Sequence, residues 1–196
     1  MAEEGDFLAM AELFDMANAN TMAALWNRDA PEGQTWVDML KPMMFGDFGE
    51  LNYKNIVVAD VGGKAVGMLV INVNPNPWPE EDSSFMKPYA VPFSKLRAKV
   101  PGYGYLRIMA VFPEFRGLRI ATNLLDIAFN LAIKSEWNGV CATVHDGNTL
   151  LLTHYRKRGL KELGRSEVVE HISYDPKSCW VLMSVDTPGG FLPEKV

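Results

Sequence analysis

The sequence predicts a single mixed α/β domain, with helices first, then a strand hairpin, then strand–helix–strand–helix–strand–strand. Three observations carry this. The β-branched run Ile56-Val57-Val58 faces a second apolar run, Ala65 to Val73, across Gly62-Gly63. The apolar strand Tyr105 to Val111 passes through one short turn into helical periodicity. A second strand–helix step follows from Val140 to Lys157. Successive strand–helix–strand units demand a crossover. The sheet is therefore expected to be mostly antiparallel around one parallel βαβ unit, with helices on both faces. At 196 residues the chain suits one domain, 1–196.

Each element has a local reason. Met10, Leu13, Phe14 and Ala17 lie at helical spacing, an apolar stripe that extends towards Trp26 before Pro31 and Gly33 break it. Trp36, Met39, Leu40 and Met43 repeat the period in a second helix. Asn55 to Ala59 and Ala65 to Val73 then read as strands, and Gly-Gly between them is hairpin chemistry. Residues 74–103 are irregular and rich in proline, with a short helix expected around Phe93 to Lys99. A stretch of that length is either functional or a surface excursion. In the next helix Ala121, Leu124, Leu125, Ala128, Leu131 and Ala132 share a face, and Gly139 is read as its end. Val140 to Val144 is a strand, and Asn148 to Lys157 a helix closed by Gly159. Strands near Leu163 to Val169 and Cys179 to Val185 complete the pattern, ahead of a loop tail at 186–196.

Composition narrows the function. A net charge of −5 disfavours nucleic acid, whose phosphates need a basic face. No apolar run approaches the ~18 residues of a membrane span. The acidic start Glu3-Glu4-Gly5-Asp6 lacks the basic flank of an export signal, so a cytoplasmic location is expected. Cys141 and Cys179 sit in apolar strands and read as buried thiols. His145, His154 and His171 are scattered, and no metal-ligand spacing occurs, so no metal is expected.

The chemistry concentrates where Tyr105 to Val111 turns into a helix through Phe112-Pro113-Glu114-Phe115-Arg116-Gly117-Leu118-Arg119-Ile120-Ala121-Thr122. The first amides of a helix have no internal acceptor, and its dipole favours negative charge there. Such a turn cradles phosphate. Gly117 allows close backbone approach, small Ala121 keeps the helix start open, and Arg116 and Arg119 add positive charge.

Arg116-Gly117-Leu118-Arg119-Ile120-Ala121 resembles the acetyl-CoA signature Gln/Arg-x-x-Gly-x-Gly/Ala of the GNAT superfamily of N-acetyltransferases. A second, independent match follows. Asn148, then Tyr155-Arg156-Lys157-Arg158-Gly159-Leu160, is similar to the family's asparagine and Tyr-x-Lys-x-Gly-Phe unit. The resemblance runs from about Asn55 to Val185 and implies the GNAT fold, with acetyl-CoA as co-substrate and an amine as acceptor. It implies that the amides from Arg116 to Thr122 bind the CoA pyrophosphate. Met109, Ala110 and Val111 would bond the pantetheine arm as an added strand, a kink in that strand would present an amide to the thioester carbonyl, and Asn148 would contact the same arm. Tyr155 would protonate the leaving thiolate. Arg119 stands where the family usually has glycine, and the strand that usually precedes the first helix is not seen. Association of two copies is compatible with the family.

Attack by a neutral amine on a thioester also needs a base. None stands between Tyr103 and Val111. Glu114, His145, Asp146 and a water chain remain open as candidates. Arg156, Lys157, Arg158 and Lys161 read either as CoA phosphate contacts or as a solvated helix end. Trp26, Trp78, Phe85, Tyr89 and Phe93 fall in regions that shape the acceptor pocket in the family, and Glu80-Glu81-Asp82 would attract a cation or simply face water. The competing class is a catalytically quiet acyl-CoA-binding module, motivated by Arg119 and by the missing strand acid.

Overall fold

In the computed structural model, residues 2–47, 49–79, 86–169 and 177–187 are described. Glu80 to Asp82, Phe85, His171 and the tail from 188 onward lie outside them. Six strands form one mixed sheet in the order β1-β2-β3-β4-β6-β5. They are β1 (Ile56–Asp60), β2 (Ala65–Val73), β3 (Gly104–Val111), β4 (Gly139–His145), β5 (Lys161–Glu167) and β6 (Cys179–Asp186). The expected parallel step is present. β3 pairs with β4 in parallel over Gly104–Val140, Tyr105–Cys141 and Leu106–Ala142. The pairs β1–β2, β4–β6 and β5–β6 are antiparallel. Six α-helices accompany the sheet among the described residues: α1 (Phe7–Ala17), α2 (Met22–Asp29), α3 (Trp36–Phe45), α4 (Val91–Arg97), α5 (Ile120–Lys134) and α6 (Thr149–Lys157). The chain divides into two compact units, Met1–Asn72 with Arg107–Ile127, and Val73–Leu106 with Ala128–Val196.

In the first unit, α1 buries the predicted stripe except for Ala17, which is exposed at the helix end. Met10 and Leu13 are fully enclosed, and Phe14 packs beside them with Leu40, Met44, Ile56, Met68, Val70, Ile108 and Ala110. The helix does not run on to Trp26. Ala19 and Asn20 take left-handed φ of 59° and 56°, and α2 starts afresh at Met22. In α3 the buried pair is Leu40 and Met44, whereas Met43, placed on the apolar face by spacing, is 43% exposed. The hairpin turn closes with Val61 N–H to Lys64 O at 3.0 Å, and both central residues are left-handed, Gly62 at 63° and Gly63 at 81°. That is the backbone a tight hairpin needs.

β2 is buried from Ala65 to Ile71. Gly67 lets it lie close to the start of α5. A Cβ there would come within 3.1 Å of Ile120 Cγ2 and 3.2 Å of both Ala110 O and Val111 Cγ2. A single missing side chain thus sets how near the β3–α5 turn sits to the sheet.

In the second unit, β4 and β6 pair along their length, from Gly139–Asp186 to His145–Trp180. A small core of Leu96, Val100, Tyr105, Cys141 and Leu182 joins α4 to the strands. Described parts of the 74–103 stretch are tied to buried groups. Asn74 is wholly buried and donates to Val100 O at 3.0 Å, and Arg97 Nε donates to Asn74 Oδ1 at 2.9 Å. The Arg97 guanidinium lies over the Tyr105 ring at 4.5 Å and the Trp78 ring at 5.4 Å.

Two boundaries differ from expectation. α5 ends at Lys134 through Glu136, which takes φ 54°, and Gly139 instead opens β4. A Cβ at Gly139 would strike the Tyr103 ring and Val185 O. β5 begins at Lys161, two residues early, because its pairing with β6 starts at Lys161–Ser184. Its residues are mostly exposed, so apolar patterning is a poor guide to it.

Candidate active site

The predicted phosphate turn lies in the first unit. Phe115 N–H bonds Phe112 O in a short 3-10 turn, and the chain then opens at Arg116. Gly117 and Arg119 both take left-handed φ, 82° and 63°. The first helical bond of α5 runs from Asn123 N–H to Arg119 O at 2.9 Å. The amides of Ile120, Ala121 and Thr122 precede it and have no intrahelical acceptor, which is the donor set a phosphate takes. Gly117, Leu118 and Arg119 are exposed, and a Cβ at Gly117 would meet nothing within 4 Å. Space is therefore open above the turn.

Arg119 occupies the family's glycine position and adopts the backbone that glycine would. A non-glycine residue there costs ~1–2 kcal/mol. The turn thus keeps its shape despite the side chain. Arg116 behaves differently from a free positive charge. Its Nε donates to Val111 O at 3.2 Å, with one Nη 3.8 Å from Met16 Sδ. The guanidinium ties the end of β3 to the turn, and it occupies the Val111 carbonyl. Met109 is half-buried and Ala110 buried, both on the same strand. Glu114 is exposed in the 3-10 turn.

Tyr155 and Asn148 belong to the second unit. Asn148 is the N-cap of α6, its Oδ1 accepting from Leu151 N–H at 3.2 Å. Its amide oxygen serves the helix, and its N–H groups have no protein acceptor among the described residues. Tyr155 is 2% exposed. Burial pushes its phenol well above the ordinary tyrosine range, and the neighbouring Tyr105 and Cys141 push in the same direction. No hydrogen-bond partner of its hydroxyl is found among the described residues. The group therefore stays protonated at any working pH. Cys141, fully buried and contacted by Asn74 Nδ2 at 3.7 Å, is pushed up to about 12 by desolvation and is an inert thiol. Both cysteines are free.

Two of the open candidates for the base, His145 and Asp146, are engaged locally. His145 Nδ1 accepts from Gly147 N–H at 3.1 Å, which assigns the proton of the neutral ring to Nε2, 2.8 Å from Ser178 Oγ. An ion pair between His145 Nδ1 and Asp146 Oδ1, 3.8 Å apart, would need a protonated His145, and Asp146 Oδ2 instead accepts from Cys179 N–H at 3.1 Å. These bonds hold the β4–α6 turn to β6. Arg156 and Lys157 are exposed at the end of α6, and Lys161 is exposed on β5. Arg158 lies with its guanidinium 5.8 Å from the Phe129 ring centroid. Sequence reasoning passed over one polar group, Glu50, which pairs with Arg107 on β3. It lies in the turn after α3, 57 positions from its partner, so no spacing rule reveals it.

The sequence matches the Acetyltransferase (GNAT) family over residues 19–160, more than half of the chain. The chain belongs to the GNAT acetyltransferase family. Similar solved structures include an N-acetyltransferase from Staphylococcus aureus Mu50, at 20% identity and TM-score 0.68, covering 94% of this chain and 97% of that one. A ribosomal-protein-alanine N-acetyltransferase from Brucella melitensis matches at 18% identity and TM-score 0.60, over 94% and 96%. A Bacillus anthracis str. Ames acetyltransferase, solved in complex with acetyl coenzyme A, matches at 16% identity and TM-score 0.50, over 67% and 61%. At these identities they speak for the fold. No curated protein matches the sequence significantly. Among the described residues no cluster of three His, Cys, Asp or Glu could hold a metal, and no helix is long and apolar enough to cross a membrane.

Proposed function

We propose that this GNAT member transfers the acetyl group of acetyl-CoA to a primary amine of a small molecule or peptide, by direct attack. The observation that carries the reading is Tyr155, a buried phenol without a protein acceptor among the described residues, on a helix that starts at Asn148 as the family pattern requires. The amides of Ile120 to Thr122, with Gly117 and Arg119 holding the turn open, supply what the CoA pyrophosphate takes. The backbone of Met109 and Ala110 is the edge for the pantetheine arm. The amine nitrogen bonds to the thioester carbon and the C–S bond breaks. The thiolate takes its proton from Tyr155, which burial keeps protonated before the reaction. The chain would act in the cytoplasm as one domain, a compartment in which free thiols such as Cys141 and Cys179 persist.

The test is thiol release from acetyl-CoA by the purified chain, with a panel of primary amines, amino acids and short peptides. Amine-dependent release with a product heavier by one acetyl group supports the reading. Saturable acetyl-CoA binding with no release for any amine would turn the assignment to a quiet acyl-CoA-binding module.

A further inference from the structure

We infer that Gly67 is a positioning residue for acetyl-CoA: the side chain it lacks sets where the β3–α5 turn presents its amides. This rests on the reading above only in taking that turn as the phosphate site, and it holds whether or not an amine is then acetylated. Gly67 lies buried within β2, opposite Ala59 of β1. It is not among the glycines with a left-handed φ. Backbone conformation therefore does not call for glycine here, and a glycine weakens a strand interior. Space does call for it.

A Cβ at Gly67 would meet two parts of the site at once. Ile120 Cγ2, at the start of α5, would be 3.1 Å away, and Ala110 O and Val111 Cγ2, at the end of β3, each 3.2 Å. Carbon atoms pack best at ~3.5–4.0 Å, so a methyl group needs its neighbours to give by a few tenths of an ångström. Gly139 is crowded too, but its Cβ would strike the Tyr103 ring and Val185 O, neither of them a proposed ligand contact.

The side that gives is the turn. β2 is buried from Ala65 to Ile71 and held in register by β1 from Ile56–Val70 to Asp60–Ala65. Gly117, Leu118 and Arg119 are exposed, with open space above Gly117. A methyl at Gly67 would thus push Ile120 and the end of β3 outward. Phe112 N–H bonds Val66 O at 3.0 Å beside Gly67, so the strand end has little freedom to turn away. Ile120 carries the first of the donor amides, and an N–H···O bond spans only ~2.7–3.2 Å. Moving that amide by a few tenths of an ångström takes Ile120 to Thr122 off a shared phosphate. The same push reaches Ala110, next to Met109 on the pantetheine edge.

The experiment is calorimetric titration of the full chain with acetyl-CoA, with melting temperatures read on the same preparations. Gly67→Ala should raise Kd about fivefold or more. Val70→Ala, three positions along β2 and fully buried in the first core, should lower the melting temperature at least as far and leave Kd within about twofold. Ile120→Leu removes the Cγ2 methyl that a new Cβ would meet. Combined with Gly67→Ala it should bring Kd back to within about twofold of Ile120→Leu alone, a comparison that stands even if Gly67→Ala by itself folds poorly. An unchanged Kd in Gly67→Ala, an equal rise in Val70→Ala, or no recovery in the paired variant would overturn this inference alone. Absence of acetyl-CoA binding by the parent chain would overturn the cofactor reading of the turn, and this inference with it.

Discussion

The turn from Arg116 to Thr122 is largely exposed and offers backbone amides, whereas Tyr155 is enclosed and offers one hydroxyl. The turn accommodates an arginine where glycine is usual, because its chemistry lies in φ and ψ. The tyrosine admits no such exchange, because its chemistry is the side chain and its proton is held by burial. The two regions should therefore fail in different ways. Changes in the turn should move affinity, and changes at the tyrosine should move turnover.

The sharpest break on the turn side is Gly117→Val. No neighbour would clash, so the penalty is purely the left-handed φ of 82°. A β-branched residue there should deform the turn and raise the acetyl-CoA Kd about tenfold or more, with ~1–3 kcal/mol of stability lost. Calorimetric titration reads it. An unchanged Kd would mean that the turn does not hold the ligand.

On the other side, the buried acids should show in alkali. Tyr155, Tyr103 and Cys141 are all held above their ordinary pKa mainly by burial. The unfolded chain releases these protons near ~9–10 while the fold retains them, so it binds fewer protons than the native state. Stability is then full below pH ~9 and falls as pH rises towards about 12, where Cys141 titrates in the fold. Urea unfolding across pH 8 to 11 should show a steady decline, and a flat profile would place these groups in water.

Asn148 sits between the two behaviours, because its oxygen caps α6 while its N–H groups suit a ligand. Asn148→Asp keeps the cap and removes the amide N–H, so stability should hold within ~0.5 kcal/mol while acetyl-CoA binds several-fold more weakly. Loss of neither would leave the residue a cap alone. The smallest effect is Arg119→Gly. Relief of the left-handed backbone is partly offset by the entropy of glycine in the unfolded chain, so a gain of about 1 kcal/mol or less is expected, ~2–4 °C in melting temperature. A loss of stability would show that the side chain holds the turn.

How much of this was legible in the sequence follows from the same contrast. Local chemistry was legible: the Gly62-Gly63 hairpin, the α5 stripe, the parallel β3–β4 step, and the two motifs at Arg116 and Asn148. Spacing alone put Met43 on the buried face and Gly139 at a helix end, because both outcomes depend on tertiary neighbours, Met44 taking the core and the Tyr103 ring leaving no room for a side chain. The engagement of Arg116 with Val111 O and the pairing of Glu50 with Arg107 were not legible at all. The first depends on how a side chain folds back, the second on a loop acid meeting a strand through the fold.

The most direct measurement of the central claim is Tyr155→Phe, with kcat and acetyl-CoA Kd determined on the same preparation. Removing one hydroxyl from a buried ring should lower kcat about 10²-fold or more and leave Kd unchanged. A kcat equal to that of the parent chain, with Kd also unchanged, would contradict the claim and return Tyr155 to the role of a packing residue.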